Sequence, residues 1–290
     1  MKFTDNALLA GRILEESIVQ HSNFDEVSNA ILQLIAIGKG TGLFTGARLI
    51  APSGTGKTSL VHHIRECLLE DHPDNGRFAL ISASLKENPS VSQIQTELLA
   101  NFKYPLSGIP KRANNNDVNH ILVTAIAEHK TRLVALDEFQ HVFHSGGTQT
   151  STVVIDWVKR FMNITKVPVL LLGTEMLDRL QGIDPQLTTR IPTVLRLSAF
   201  QYDDEWVGFI KSLGELEDLP LDLSTLHQTH HHSLFRATQG NPRMLKNLLV
   251  HAVVIAITEG HSRIDDKTLA KAYRFQQGTV PDEENPFVLS

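Results

Sequence analysis

Eight residues, Ala51-Pro52-Ser53-Gly54-Thr55-Gly56-Lys57-Thr58, have the types and spacing to hold a chain of phosphates. Gly54 and Gly56 let backbone N–H groups curl around phosphate oxygens, which side chains at those positions would block. Lys57 can reach the β- and γ-phosphates, and the Thr58 hydroxyl can ligate Mg²⁺. An apolar run from Ala47 to Ala51, broken only by Arg48, leads in; a helical pattern with Leu60, Val61, Ile64 and Leu68 on one face leads out. Strand, Gly-rich turn and helix is the setting of a Walker A phosphate loop, and a helix N-terminus favours the anion. Ala51 stands where the strict pattern has Gly, and a small residue still fits. The expected nucleotide contacts are Pro52, Ser53, Gly54, Thr55, Gly56, Lys57, Thr58 and Ser59.

A second acidic element lies downstream, Leu133-Val134-Ala135-Leu136-Asp137-Glu138. Four apolar residues predict a buried central strand, with the acids arriving where it emerges at its C-terminal end. This matches a Walker B element: Asp137 would hold the hydration shell of Mg²⁺, and Glu138 would polarise the attacking water. A further strand, Val167 to Leu172, ends at Gly173-Thr174. Thr174 can bond the water or the γ-phosphate, the sensor-1 role, or it can cap the helix that follows. A nucleoside triphosphate with Mg²⁺ is the expected ligand, and the resemblance given below implies ATP.

The elements that must position these residues alternate. Helices are expected over Asn6–Val19 and Asp25–Ile37, the second broken by Gly38-Lys39-Gly40-Thr41-Gly42. A strand over Arg77–Ala83 precedes a helix with Asn88 as cap and Pro89 at its first position. A loop from Lys103 to Asn116, a helix over Asp117–His129, an exposed polar loop over Gln140–Thr150 and a helix over Thr152–Phe161 follow. A fifth strand covers Thr193–Leu197. From Ala199 the pattern is helical only: Asp203–Leu216, Ser224–Thr238, Pro242–Thr258 capped by Asn241, and Asp265–Phe275. The tail Gln276–Ser290, with two prolines, three acids and no periodicity, reads as flexible. The His230-His231-His232 run brings no Cys or carboxylate ligand set with it, so solvated surface is the reading taken.

At 290 residues, 41% hydrophobic and 20% charged, the composition is that of an ordinary globular protein with a sizeable core. A net charge of −5 requires any nucleic-acid contact to come from a local basic patch. The single Cys67 rules out an internal disulfide and suits a reducing compartment. No apolar run reaches the length of a membrane span, so a cytoplasmic protein without membrane partners is expected.

Phosphate loop, Walker B strand, sensor strand and helical lid together resemble the AAA+ ATPases. Within that resemblance Arg190 takes the place of the arginine finger acting in trans, and Arg243, in Gly240-Asn241-Pro242-Arg243, that of sensor 2. Leu136-Asp137-Glu138-Phe139-Gln140-His141, Gly173-Thr174, and Asp184-Pro185-Gln186-Leu187 with Arg190 narrow it: the chain resembles the TniB/TnsC transposition ATPases over roughly residues 10–275. Asn285-Pro286-Phe287 is similar to tails of the TniB branch. The resemblance implies an α/β fold, an AAA+ P-loop core with a five-stranded parallel sheet between helices and then a small all-α lid. The expected division is 1–46 N-terminal helical segment, 47–198 nucleotide-binding core, 199–275 lid and 276–290 flexible tail.

The same resemblance implies an ATPase used for regulation, not itself a nuclease or integrase. Such proteins assemble with ATP on duplex DNA, as a ring of six or seven copies or a helical filament, and associate with the nucleoid there. Their partners are a transposase and a target-selection protein, and hydrolysis disassembles them. Candidate DNA contacts are Lys86, Lys103, Lys111 and Arg112, in the extra helix-bearing stretch Ser84–Arg112. Two other classes remain open. A replication initiator would be expected to add a winged-helix domain, for which residues 276–290 leave too little chain, whereas a helicase loader need not. A signalling NTPase would be expected to carry repeat arrays, and none is present in this sequence.

Overall fold

Short apolar runs, too regular in their burial to face water, build a parallel sheet. The computed structural model describes residues 2–71, 76–103, 115–144, 148–216, 219–278 and 281–288. In chain order the elements are α1 (Asp5–Glu16), α2 (Ser22–Thr41), β1 (Ala47–Ile50), α3 (Lys57–Asp71), β2 (Leu80–Ser84), α4 (Val91–Asn101), α5 (Asn115–Glu128) and β3 (Leu133–Asp137). Then come α6 (His141–His144), α7 (Thr148–Thr165), β4 (Val169–Gly173), α8 (Leu180–Ile183), α9 (Pro185–Arg190) and β5 (Thr193–Arg196). The last are α10 (Asp204–Gly214), α11 (Leu226–Thr229), α12 (His231–Thr238), α13 (Pro242–Thr258) and α14 (Asp266–Gln277).

Among the described residues the five strands form one parallel sheet in the order β2-β3-β4-β1-β5. β1 and β4 are buried at every position and β3 at all but Asp137, as strands covered on both faces require. β5, at the edge, alternates half-buried with exposed residues. β4 pairs with β3 on one side (Leu136 opposite Leu171) and with β1 on the other (Ile50 opposite Gly173). Helices α4, α5 and α7 contribute Leu98, Leu122 and Val158 to the core of this sheet, where Trp157 and Phe161 stack with centroids 4.9 Å apart. The buried indole N–H of Trp157 donates to Asn119 Oδ1 at 3.0 Å, so its polar atom is satisfied.

The chain divides into two units, one of residues 26–53 and 57–197, the other of residues 1–25, 54–56 and 198–290. The N-terminal segment therefore does not stand apart as 1–46. The reason is packing: α1 lies on α13 where Gly11 has no side chain, and a Cβ there would come within 2.8 Å of Val254. The Lys246 amino group donates to the carbonyls of Glu15 and Ser17, satisfying acceptors that the end of α1 leaves open. Burial holds that ammonium's pKa below the ordinary lysine range, with Glu15 acting against the shift.

Several local expectations are corrected. α2 runs on to Thr41, because Phe44 covers Gly38 and the Gly42 N–H closes on the Gly38 carbonyl at 2.9 Å; this packing outweighs a cost of about 1 kcal/mol per helical glycine. β2 starts at Leu80, since Gly76–Phe78 form a 3-10 turn. α4 is capped by Ser90, whose Oγ accepts from Gln93 N–H at 3.2 Å, while Asn88 takes a left-handed φ of 55° in the turn before it. Gln140 is buried and α6 follows it, so the described part of 140–150 is not an exposed loop. His230, expected at the surface, has a side chain only 13% exposed and meets Asp266 at 3.0 Å, breaking the expected helix into α11 and α12. Among the described residues no helix is long and apolar enough to cross a membrane.

The tail is the largest correction. Asn285 and Phe287 are buried, at 3% and 4% exposure. Asn285 Nδ2 donates to the Ala270 carbonyl at 3.1 Å and its Oδ1 accepts from Phe287 N–H at 3.1 Å, an Asx turn that drives the Phe287 ring against Tyr273. An aromatic ring and an apolar slot on α14 outweigh an acidic, proline-bearing composition. Phe287→Ala should therefore lower stability by about 3 kcal/mol, read as a fall in the unfolding midpoint; an unchanged midpoint would mean that the tail does not dock.

Candidate active site

β1 ends by handing its ladder on to the loop: Ala51 N–H donates to the Gly173 carbonyl at 2.8 Å. Ala51 is wholly buried, which explains why the first motif position need only be small. Gly54 and Gly56 have φ of 83° and 104°, backbone states that side chains resist, and these reversals turn the loop into α3. Lys57 opens α3, with exposed Thr58 and half-buried Ser59 in the first turn, where free N–H groups and the helix dipole favour an anion. The Lys57 ammonium donates to the Ala51 carbonyl at 2.9 Å and lies 3.9 Å from Glu138 Oε1.

The acids stand at the end of β3, one strand over from β4. Glu138 is left-handed at φ 55°, a conformation that costs about 1–3 kcal/mol in a residue other than glycine and is kept where the surroundings require it. The Glu138 N–H donates to Asp137 Oδ1 at 2.8 Å. Burial raises the Asp137 pKa above the ordinary carboxylate range, with the Glu138 carboxylate adding to the shift; the Glu138 N–H and the Lys57 ammonium oppose it. A divalent cation would reverse that balance. The oxygen donors of Asp137 and Thr58 are hard ligands of the kind Mg²⁺ takes, so the residues present fit the ion.

Thr174 follows β4 directly. Its side chain makes no capping bond to the short 3-10 helix after it, so helix capping does not account for the residue. Arg190 closes α9, where its guanidinium donates to the Gln186 carbonyl at 3.0 Å. Its own carbonyl accepts from Gly46 N–H at 2.8 Å, just before β1 begins. The phosphate loop starts at the other end of that strand, roughly 16 Å away at 3.3 Å per residue. The structure thus does not bring Arg190 to Lys57 and Glu138 of its own chain. Arg243, exposed, sits at the start of α13 behind the Asn241 cap; its backbone N–H donates to Asn241 Oδ1 and to the Gly54 carbonyl, both at 3.1 Å.

The two candidate DNA contacts among the described residues, Lys86 and Lys103, do not lie in one patch. Lys86 follows the C-terminal end of β2, whereas Lys103 follows the C-cap of α4, Phe102, whose ring lies 5.5 Å from Phe78, ahead of that strand. Both are exposed, at opposite ends of β2. Lys111 and Arg112 lie outside the described residues. At the Lys103 end the His129 ring stacks on Phe102 at 5.1 Å and Arg77 lies over Phe78 at 5.7 Å, with exposed Lys130 next in sequence to His129. These basic residues are scattered in the sequence, which is why no run revealed them. Gln140, whose side chain reaches Glu138, was visible only as part of a family string.

The bacterial TniB protein family matches residues 10–202. No curated protein matches the chain. Among solved structures, the Aeropyrum pernix ORC2 protein in its ADPNP–ADP complexes is similar with a TM-score of 0.70 at 18% identity, over 94% of this chain and 73% of that one. The Aeropyrum pernix ORC1 protein in complex with DNA is similar with a TM-score of 0.67 at 14% identity, over 92% and 69%. The RuvB Holliday junction branch migration motor of Thermotoga maritima is similar with a TM-score of 0.53 at 15% identity, over 92% and 72%. At these identities the likeness establishes the fold, an AAA+ P-loop core with a helical C-terminal region. A phosphate loop, an acidic strand end and that fold agree with the sequence match, which spans well over half of the 290 residues, and the chain belongs to the bacterial TniB family.

Proposed function

We propose that this protein is an ATP-dependent regulator of DNA transposition: it assembles on duplex DNA with ATP, recruits a transposase there, and disassembles after hydrolysis. The observation that carries the hydrolytic part is the Lys57 ammonium 3.9 Å from the Glu138 carboxylate, at the end of a strand separated from the phosphate loop by β4 alone. Pro52 to Ser59 would wrap the phosphates, with Lys57 on the β- and γ-groups. Mg²⁺, held by Thr58 and through water by Asp137, would neutralise charge on the phosphate oxygens. Glu138 would take a proton from water as the water oxygen bonds the γ-phosphorus; the bond to the bridging oxygen then breaks and ADP leaves with its electron pair. Thr174 would hold the water or the γ-phosphate, and Arg243 would meet the nucleotide as sensor 2.

The family match favours transposition over replication initiation or helicase loading, and the target-selection partner belongs to that reading. The Arg190 geometry supports assembly. With its backbone beside the start of β1, at the far end of that strand from its own loop, Arg190 would act on the phosphate of a neighbouring copy in a homo-oligomeric ring or filament. DNA binding draws support from the ORC1 protein solved with DNA. On this chain the best described surface is Lys103 with Arg77 and Lys130 beside an aromatic trio, and repetition around an assembly would offset a net charge of −5.

Three outcomes are expected. Lys57→Ala should lose ATP binding, while Glu138→Gln should keep it and hydrolyse about 100-fold or more slowly; unchanged turnover in Glu138→Gln would remove that residue from its role. Arg190→Ala and Glu138→Gln chains, each inactive alone, should recover part of the activity when mixed, because some interfaces then hold both intact residues; no recovery at any ratio refutes action in trans. Duplex DNA should bind with ATP and without sequence preference, and Arg77→Ala with Lys103→Ala should lower the slope of log affinity against log salt by about 1 for every phosphate left without its cationic side chain. A wild type that binds no DNA at low salt would refute the transposition reading.

A further inference from the structure

Gln140 is buried, at 6% exposure, two residues beyond Glu138. The left-handed turn at Glu138, closed by His141 N–H on the Glu138 carbonyl at 3.0 Å and Val142 N–H on the Phe139 carbonyl at 3.1 Å, brings the Gln140 amide back to the carboxylate. Its Nε2 donates to Glu138 Oε2. Its Oε1 is buried without a hydrogen-bond partner, and it fills the place a side chain at residue 173 would need: a Cβ on Gly173 would lie 2.4 Å from it. A buried carbonyl left unpaired is a cost that an apolar side chain of similar size would avoid, so filling space alone does not explain a glutamine here.

The two oxygens of Glu138 are held differently. Oε2 meets a neutral donor from its own turn; Oε1 faces Lys57, the group that a bound phosphate would draw toward itself. We propose that Gln140 is a positioning residue for hydrolysis: it fixes Oε2, in a space that Gly173 leaves open, so that Oε1 alone is released to accept the proton of water when nucleotide engages Lys57. This rests on the hydrolytic reading above and adds a division of labour within the carboxylate. It also ties the orientation of Glu138 to the strand end that carries Thr174, since Gly173 is the residue before it.

The test measures ATP turnover and analogue affinity of the full chain, with unfolding midpoints as the control for folding. Gln140→Leu keeps the bulk and Gln140→Glu keeps the shape, but neither supplies the amide donor. Both should lower kcat about 10- to 100-fold while the dissociation constant for a non-hydrolysable ATP analogue stays within about twofold. If Gln140→Leu does not fold, Gln140→Glu decides. Gly173→Ala should also lower kcat in the wild-type background, yet cost little more in Gln140→Ala, where the amide no longer occupies that space. Wild-type kcat in Gln140→Leu or Gln140→Glu overturns the proposal, as does an equal Gly173→Ala penalty in both backgrounds. A wild type without ATP turnover overturns the hydrolytic reading and this inference with it, whereas active variants beside an active wild type overturn the inference alone.

Discussion

One backbone hydrogen bond, from Ala51 N–H to the Gly173 carbonyl, sets the geometry on which the candidate site depends. It extends the β1–β4 ladder one residue beyond the strand and so pins the first residue of the phosphate loop to the last residue of the neighbouring strand. From there the loop is short: two left-handed glycines later α3 begins, and Lys57 returns to bond the Ala51 carbonyl. On the far side of the same glycine, the missing side chain admits Gln140, which reaches Glu138. Parallel pairing aligns all the strand ends at one edge of the sheet, and there the basic and acidic groups converge.

That edge is built at a cost. Glu138 sits in a left-handed conformation, Asp137 is desolvated beside a second carboxylate, and a buried amide oxygen lacks a partner. Each is unfavourable alone, and together they describe a site arranged for groups that arrive later. A polyphosphate with its cation would meet the Lys57 charge and favour the ionised Asp137. The surrounding strands, buried at nearly every position, are rigid enough to hold such a constellation before anything binds.

The helical unit is held by the opposite device, satisfied polar groups on apolar packing. Lys246 closes the end of α1, Asn241 caps α13, and Asn285 turns the tail so that Phe287 enters the core beside Tyr273. Glycine at position 11 lets α1 approach α13 closely. The result joins the first and last parts of the chain in one unit, although almost the whole of the sequence separates them.

What could be read directly from the sequence was local. The phosphate loop, the Asp137–Glu138 strand end, the five strands and the Asn241–Pro242 helix start all follow from periodicity and from residues whose backbone preferences act within a few positions. The centre of the site was therefore legible, and so was the fold class. Four decisions belonged to the tertiary structure. Packing by Phe44 carried α2 across two glycines; a slot on α14 ordered a tail whose composition reads as flexible; the approach of α1 to α13 moved the unit boundary from 46 to 25; and α4, returning alongside β2, carried Lys103 to the opposite end of that strand from Lys86. Gln140 shows the limit best. Its neighbours in the chain mark it as one polar residue after a strand; the left-handed turn at Glu138 brings its amide to the carboxylate, and only the strand order sets Gly173 against it and leaves the space it fills. Propensity is a sum over nearby residues worth a fraction of a kcal/mol each, and burial against a distant segment exceeds it wherever the fold brings that segment near.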